Sequence, residues 1–297
     1  WDLVMGTIPP LDEGQWEEVF HKYQQSPEYK IVNTGMSLGE FKTIFWWEYV
    51  HRLLGRVMGF AFLIPLLFFI ARRQLTGPQV LKLSTLFVLG GLQGLLGWYM
   101  VKSGLVNVPH VSHLRLTAHL TLAFLLFGAT LWFALQFFTG STKHRSSANA
   151  HPMLYNLALV LLAVIFLQVA LGAMVAGLKA GYIFNTFPKM GPWWIPPGTW
   201  NIPLHNPTFI QFAHRLTAYL VLILIGWIWW KSRRLECSYQ QRKGVLMVSL
   251  AGLGQVILGI VTLLLIVPIA LGSLHQFGAL VLFACSIYLC HVLRPAG

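Results

Sequence analysis

Glu48-Tyr49-Val50-His51-Arg52-Leu53 and Gln211-Phe212-Ala213-His214-Arg215-Leu216 are two versions of one hexapeptide, 163 residues apart. Gln93-Gly94-Leu95-Leu96-Gly97 is echoed by Gln255-Val256-Ile257-Leu258-Gly259 at 162 residues, and Ala118-His119-Leu120 by Leu274-His275-Gln276 at 156. Similarities kept in order at one long period read as two related halves of the same topology.

The residues around these echoes say what the halves are made of. A bilayer core about 30 Å thick needs roughly 20 mostly apolar helical residues. Seven stretches qualify, at about 45–71, 80–102, 114–138, 153–178, 208–230, 244–267 and 270–293. The fold class is therefore an all-α polytopic membrane protein with seven transmembrane helices in this chain. Composition agrees: of 297 residues 56% are hydrophobic and only 10% charged, and mean hydropathy is +0.63. A soluble enzyme, with about a quarter of its residues charged, is excluded.

Lys and Arg outnumber Asp and Glu by 21 to 9. Arg72, Arg73, Lys82, Lys143, Arg145, Lys231, Arg233, Arg234, Arg242, Lys243 and Arg294 fall in segments on one side of the predicted spans. By the positive-inside rule that side is the cytoplasm, or the matrix of a mitochondrion. Asp2, Asp12, Glu13, Glu17, Glu18, Glu28 and Glu40 lie on the other side, in residues 1–44, with 103–113, 179–207 and a turn at Val267-Pro268. The net charge reports orientation in a lipid bilayer and not a nucleic-acid partner. Cys237, Cys285 and Cys290 are all away from the outer side, so they suggest neither a disulfide framework nor a zinc site. Trp1–Pro10 has neither the basic start nor the apolar run of a signal peptide.

The repeat predicts more than the spans. Met190-Gly191-Pro192-Trp193-Trp194-Ile195-Pro196-Pro197 follows the 153–178 span and matches Met5-Gly6-Thr7-Ile8-Pro9-Pro10. A helix before the latter is thus expected in the complete protein, giving eight helices as two four-helix bundles. The halves divide as 1–140, an incomplete bundle, and 141–297, a four-helix bundle.

Ionisable side chains within spans are costly and mark function by default. His51, His119, His214 and His275 are each expected about two turns or less into a helix that starts on the outer side, at one depth. A lone histidine on an apolar helix is usually a hydrogen-bonded core residue; four at one depth, two per half, point to ligands. Bundles hold cofactors between side chains on facing helices. Two imidazoles could reach both faces of a haem iron, for which imidazole is a usual axial ligand. Zinc competes, but structural zinc sites use four Cys or His ligands at close spacing, whereas these pairs are 68 and 61 residues apart.

Arg52 and Arg215 follow two of the histidines and could pair with haem propionates; alternatively they snorkel to headgroups, as could Arg115. Three residues before the histidine the halves differ, Glu48 against Gln211. Residues i and i+3 share a helix face, so Glu48 is expected to point toward the cavity of His51, where a carboxylate can accept a proton or stabilise a cation. The competing reading pairs Glu48 with Arg52 at i+4. The recurring Gln-x-x-x-Gly at Gln93, Gln168 and Gln255 reads as helix packing.

With Glu48-x-x-His51-Arg52, His119, His214-Arg215 and His275, the chain resembles the haem A synthase family, in particular its mitochondrial and proteobacterial type without an outer-loop cysteine pair. Gly97-Trp98-Tyr99-Met100-Val101-Lys102-Ser103-Gly104 and Asn185-Thr186-Phe187-Pro188-Lys189-Met190-Gly191 carry the resemblance across nearly the whole chain. It implies eight helices and oxidation of the C8 methyl of haem O to a formyl group, with haem O as substrate. It also implies a bacterial cytoplasmic or mitochondrial inner membrane, with the haems near the outer face. His51 and His119 would flank the substrate, Glu48 would be the essential carboxylate, and His214 and His275 would ligate a resident haem b. Partners implied are an unidentified electron donor and a haem O synthase or oxidase-assembly protein. A bis-histidine electron-transfer cytochrome b and a haem transporter or insertion chaperone are the alternatives.

Overall fold

The computed structural model describes residues 8–104, 111–139 and 151–295, apart from the side chains of residues 103, 104 and 139. The Met5–Thr7 part of the repeat, the outer connection at 105–110 and the basic residues Lys143 and Arg145 lie outside the described residues.

Nine α-helices are described: α1 (Glu13–Gln24), α2 (Pro27–Ile31), α3 (Leu38–Ala71), α4 (Gly77–Gly104), α5 (His113–Thr139), α6 (Pro152–Gly177), α7 (Pro207–Ser232), α8 (Tyr239–Leu264) and α9 (Ile269–Leu293). Seven of them, α3 to α9, are long and apolar enough to cross a membrane. Their boundaries differ from the expected spans mainly where a cap extends a helix into water. Ser37 and Glu40 form a reciprocal capping box that starts α3 at Leu38, and Ser238 with Gln241 does the same for α8 at Tyr239. The hydropathy of either run rises only several residues later.

The chain forms two compact units, Trp1–Arg115 and Leu116–Gly297. In the first, the 34 residues of α3 extend roughly 50 Å at 1.5 Å per residue, more than a bilayer core requires. The surplus is the N-terminal part, and α1 packs on it. Phe41, fully buried, and Phe45 meet Trp16 and Tyr23 there, with the Trp16 and Phe45 rings edge-to-face at 4.9 Å. Burying one such aromatic stabilises by about 2 to 3 kcal/mol, enough to fold a short polar segment that cannot hold itself as isolated helix. Asp12 and Ser26 cap α1 and α2. Farther along, α3 pairs with α4 and presents Met58, Phe60 and Ile64 outward, each more than 60% exposed, as a lipid-facing surface requires.

In the second unit each of α6, α7, α8 and α9 packs against the next and α9 returns to α6. The four form a closed ring in which α6 faces α8 and α7 faces α9 across the diagonals. One core cluster joins Leu154, Leu161 and Ile165 of α6, Leu224 and Ile228 of α7, Val245 and Val248 of α8, and Leu282, Leu289 and Leu293 of α9. Phe124 of α5 joins it, edge-to-face on Phe283 of α9 at 5.4 Å. Between lipid-embedded helices the hydrophobic effect offers little, so this close packing itself holds the bundle. At one end Arg233 lies over Trp229, Arg234 over Trp230 and Arg294 over Trp132, at 5.0, 4.2 and 5.9 Å. Such cation–aromatic pairs suit the membrane interface.

Candidate functional site

The buried residues of α7 and α9 lie mostly at the end of the ring bearing those arginines. On α9 the buried residues run from Leu282 to Leu293, with none between Ile269 and Val281; on α7 they run from Val221 to Ser232, with only Ile210 and Gln211 before them. His214 and His275 lie at the other end, one on each member of the α7–α9 diagonal. Each is reached early in its helix, roughly 9 to 11 Å from the first residue. The start of α7 is fixed by Asn206, whose Oδ1 accepts from the Thr208 and Phe209 amides at 2.9 and 3.3 Å while its Nδ2 donates to the Gly198 and Asn201 carbonyls at 2.6 and 2.9 Å.

Both rings are held from the preceding helix in the same way. Gln168 of α6 donates its Nε2 to the His214 carbonyl at 2.9 Å and lies 3.4 Å from His214 Nε2. Gln255 of α8 donates to the His275 carbonyl at 2.8 Å and lies 3.5 Å from His275 Nε2. One turn beyond each glutamine is a glycine. A Cβ on Gly172 would stand 3.3 Å from His214 Cε1, and one on Gly259 would stand 2.8 Å from His275 Cε1. The Gln-x-x-x-Gly motif, expected to serve helix packing, thus also seats the histidines. The signal that could have shown this was in the sequence: the motif occurs on the helix immediately before three of the four histidine helices, α5, α7 and α9.

His214 Nδ1 and His275 Nδ1 are buried without a hydrogen-bond partner. Two imidazoles on the α7 and α9 diagonal of one bundle are a side-chain set that would suit haem iron, for which imidazole is a usual ligand. They do not resemble a zinc site: among the described residues no group of three or more His, Cys, Asp and Glu is placed to hold a metal ion.

Arg215 turns away from that interior. Its Nη1 donates to the Thr186 and Lys189 carbonyls at 2.8 and 3.2 Å, and its Nη2 to the Phe184 carbonyl at 2.8 Å. Gln211 Nε2 reaches the same Phe184 carbonyl at 3.0 Å. Asn185 ties the loop to the end of α8 through the Leu263 carbonyl at 3.0 Å. Gln211 and Arg215 therefore anchor the segment 184–189, which includes a cis Phe187–Pro188 bond. Pro188, Met190, Trp194, Phe212, Leu216 and Tyr219 line a pocket beside Arg215.

In the first unit His51 follows Glu48 on α3, roughly 20 Å from the helix start, because the capping box begins α3 earlier than the apolar run. That is deeper into its helix than the two turns expected, although the extra turns belong to the part packed against α1. Glu48 and Arg52, both half-buried, form an ion pair one turn apart, the competing arrangement read from the spacing. Arg115 lies over the Tyr99 ring at 5.2 Å. His119 is half-buried on α5, in the second unit. Cys237, Cys285 and Cys290 are buried free thiols.

Residues 1–287 match the family model described as COX15-CtaA, cytochrome oxidase assembly protein. Among curated relatives, the heme A synthase of Nitrosospira multiformis is 47% identical over 99% of this chain and 84% of its own length. That of Parvibaculum lavamentivorans is 44% identical over 100% and 85%, and that of Nitrosomonas eutropha 43% identical over 99% and 84%. Similarity at that level along the full set of spans, carried on a bundle with diagonally opposed histidines, establishes that the chain belongs to the COX15-CtaA family of cytochrome oxidase assembly proteins.

Proposed function

We infer that this chain oxidises the C8 methyl of haem O to a formyl group, producing haem A for terminal oxidases. The observation that carries the reading is the pair His214 and His275 on α7 and α9 of one bundle, each seated by a glutamine and a glycine, in a chain of this family. These two imidazoles would hold a resident haem b, which when bound supplies one-electron transfer. The protein's own residues supply orientation and charge.

By the repeat, α3, α4 and α5 would be the counterparts of α7, α8 and α9, within halves 1–140 and 141–297, and by the family resemblance His51 and His119 would flank substrate haem O. The methyl would be hydroxylated twice, each time a two-electron oxidation that takes its oxygen either from water, with two electrons and two protons leaving to an external acceptor, or from dioxygen, with two electrons and two protons from an external donor reducing the second oxygen atom to water. The geminal diol would then lose water to give the aldehyde. Glu48, three residues before His51 on α3, is the group suited to move a proton or to stabilise positive charge at the reacting carbon. Its ion pair with Arg52 aims the carboxylate. Gln211, at the same register in the other half, instead bonds a loop carbonyl. That difference favours one reactive site and one electron-transfer site over two equal redox centres. Arg52 and Arg215 remain the cations nearest the histidines in sequence for haem propionates; the bonds of Arg215 to the loop make anchorage its main task.

The basic segments would face the cytoplasm or matrix, and the histidines the outer side of a bacterial cytoplasmic or mitochondrial inner membrane. Electrons would pass to or from a separate partner, and a haem O synthase or oxidase-assembly protein would deliver or receive the haem. The test is co-expression with a source of haem O, followed by haem extraction and chromatography. Haem A should appear. Tightly bound haem b with haem O unchanged would make the chain an electron-transfer cytochrome.

A further inference from the structure

We propose that Gln168 and Gln255 are positioning residues that fix the rotation of the His214 and His275 imidazoles, and through it the electronic state of the haem held between them. The proposal rests on the haem b reading above and assigns a role to residues outside the ligand set.

A metal-binding histidine is ordinarily oriented by a bond from its second ring nitrogen to a carbonyl or carboxylate. Neither ring has a carbonyl or carboxylate partner here: both Nδ1 atoms are buried and unbonded, and each Nε2 has only a glutamine amide nitrogen within reach, at 3.4 and 3.5 Å. What restrains the rings comes from the neighbouring helices. The glutamine amide fixes the backbone of the histidine through its carbonyl and lies alongside Nε2. The glycine four residues later shares the glutamine's helix face and admits the Cε1 edge of the ring. Amide on one side and bare backbone on the other leave the imidazole a narrow slot.

The orientation of the amides is set by chemistry. A carbonyl oxygen only accepts, so the nitrogen and not the oxygen of each glutamine must face it. The price is that Gln168 Oε1 and Gln255 Oε1 are both buried without a partner. For Gln255 the fold makes room for that oxygen, since a Cβ on Gly278 would overlap it. The same arrangement on two separate helix pairs, α6 with α7 and α8 with α9, identifies a device and not a chance contact. Orientation of an axial ligand is one of the ways a protein tunes a haem.

The test uses the purified haem-loaded protein, read by electron paramagnetic resonance of the ferric haem and by redox titration. Wild type is compared with Gln168→Leu, Gln255→Leu, Gln255→Asn, Gly172→Ala and Gly259→Ala. Both histidines remain in every variant, so the haem-loaded fraction stays low-spin. The largest g value and the midpoint potential should shift in the two leucine variants and move back toward wild type in Gln255→Asn. Gly259→Ala should shift them more than Gly172→Ala, because its methyl meets the ring at 2.8 Å and not 3.3 Å. If the leucine and alanine variants that load haem all keep wild-type g values and potential, differing only in yield, the glutamines are merely structural and the proposal is overturned. Should Gln255→Leu not accumulate, Gln168→Leu and Gly172→Ala decide the matter on the other ring. Wild type purified without haem b overturns the reading beneath the proposal, a result distinct from a loaded but unshifted variant.

Discussion

Arg215 of α7 donates to the Phe184 carbonyl at 2.8 Å, and so binds the segment after α6 to the helix that carries His214. Two further bonds from the same guanidinium, to Thr186 and Lys189, make one side chain the organiser of this turn. A planar fork can serve three carbonyls where an ammonium cannot.

Arg215→Ala should therefore free the 184–191 segment while leaving the bundle inserted. A charged hydrogen bond contributes about 1.5 to 3 kcal/mol, and water can replace part of it at the membrane surface, so a loss of about 2 kcal/mol is expected. Hydrogen exchange at the amides of Asn185 and Gly191 should quicken by about tenfold or more, and Arg215→Lys should recover less than half of the loss. Unchanged exchange in Arg215→Ala would remove the loop from this residue's account.

Glu48 and Arg52 offer a separation of stability from activity. A half-exposed i,i+4 pair contributes well under about 1 kcal/mol, so Arg52→Ala should barely alter thermal stability. Haem A formation should fall much further, because the carboxylate loses the cation that aims it. Equal, small effects on both measurements would reduce the pair to a surface contact.

The two histidines proposed to hold haem b should behave as a pair. His214→Ala and His275→Ala each remove one imidazole from the bundle diagonal, and each should lower the haem b content of the purified protein severalfold without preventing membrane insertion. Full haem b content with an unchanged spectrum in either variant would place the cofactor elsewhere.

Cys237 lies between α7 and α8, outside the spans, and is 8% exposed. Burial pushes its thiol above the usual range, with Arg242 acting in the opposite direction. The folded protein should consequently resist alkylation at pH 8 and react faster when unfolded. Because the folded value is raised, this group's contribution to stability is present below the unfolded thiol's pKa and is lost as pH rises through the folded value. Rapid labelling of the folded protein at pH 8 would contradict this.

The sequence made the spans legible because lipid imposes a simple requirement, some twenty apolar residues for each crossing. It hid α1 and α2, whose polar residues pass for a loop and whose stability comes from aromatic contacts with α3. The capping pairs Ser37–Glu40 and Ser238–Gln241 were visible signals, and they moved two helix starts outward. At the site, imidazoles could be picked out because an ionisable group in a span is rare. Their supports were harder: Gln168 and Gln255 bond a backbone carbonyl, and Arg215 bonds three. Backbone acceptors are chemically alike at every residue, so spacing alone could not say which of them these side chains would meet.

The most direct test of the account is haem analysis of membranes co-expressing a haem O source with either the wild-type chain or Glu48→Gln, a change that keeps shape and removes the charge. Wild type should convert haem O to haem A, and Glu48→Gln should retain its haem b while haem A falls by at least about a hundredfold, the low end of what a general acid–base group contributes. Haem A production by Glu48→Gln at the wild-type level, with normal haem b content, would contradict the account.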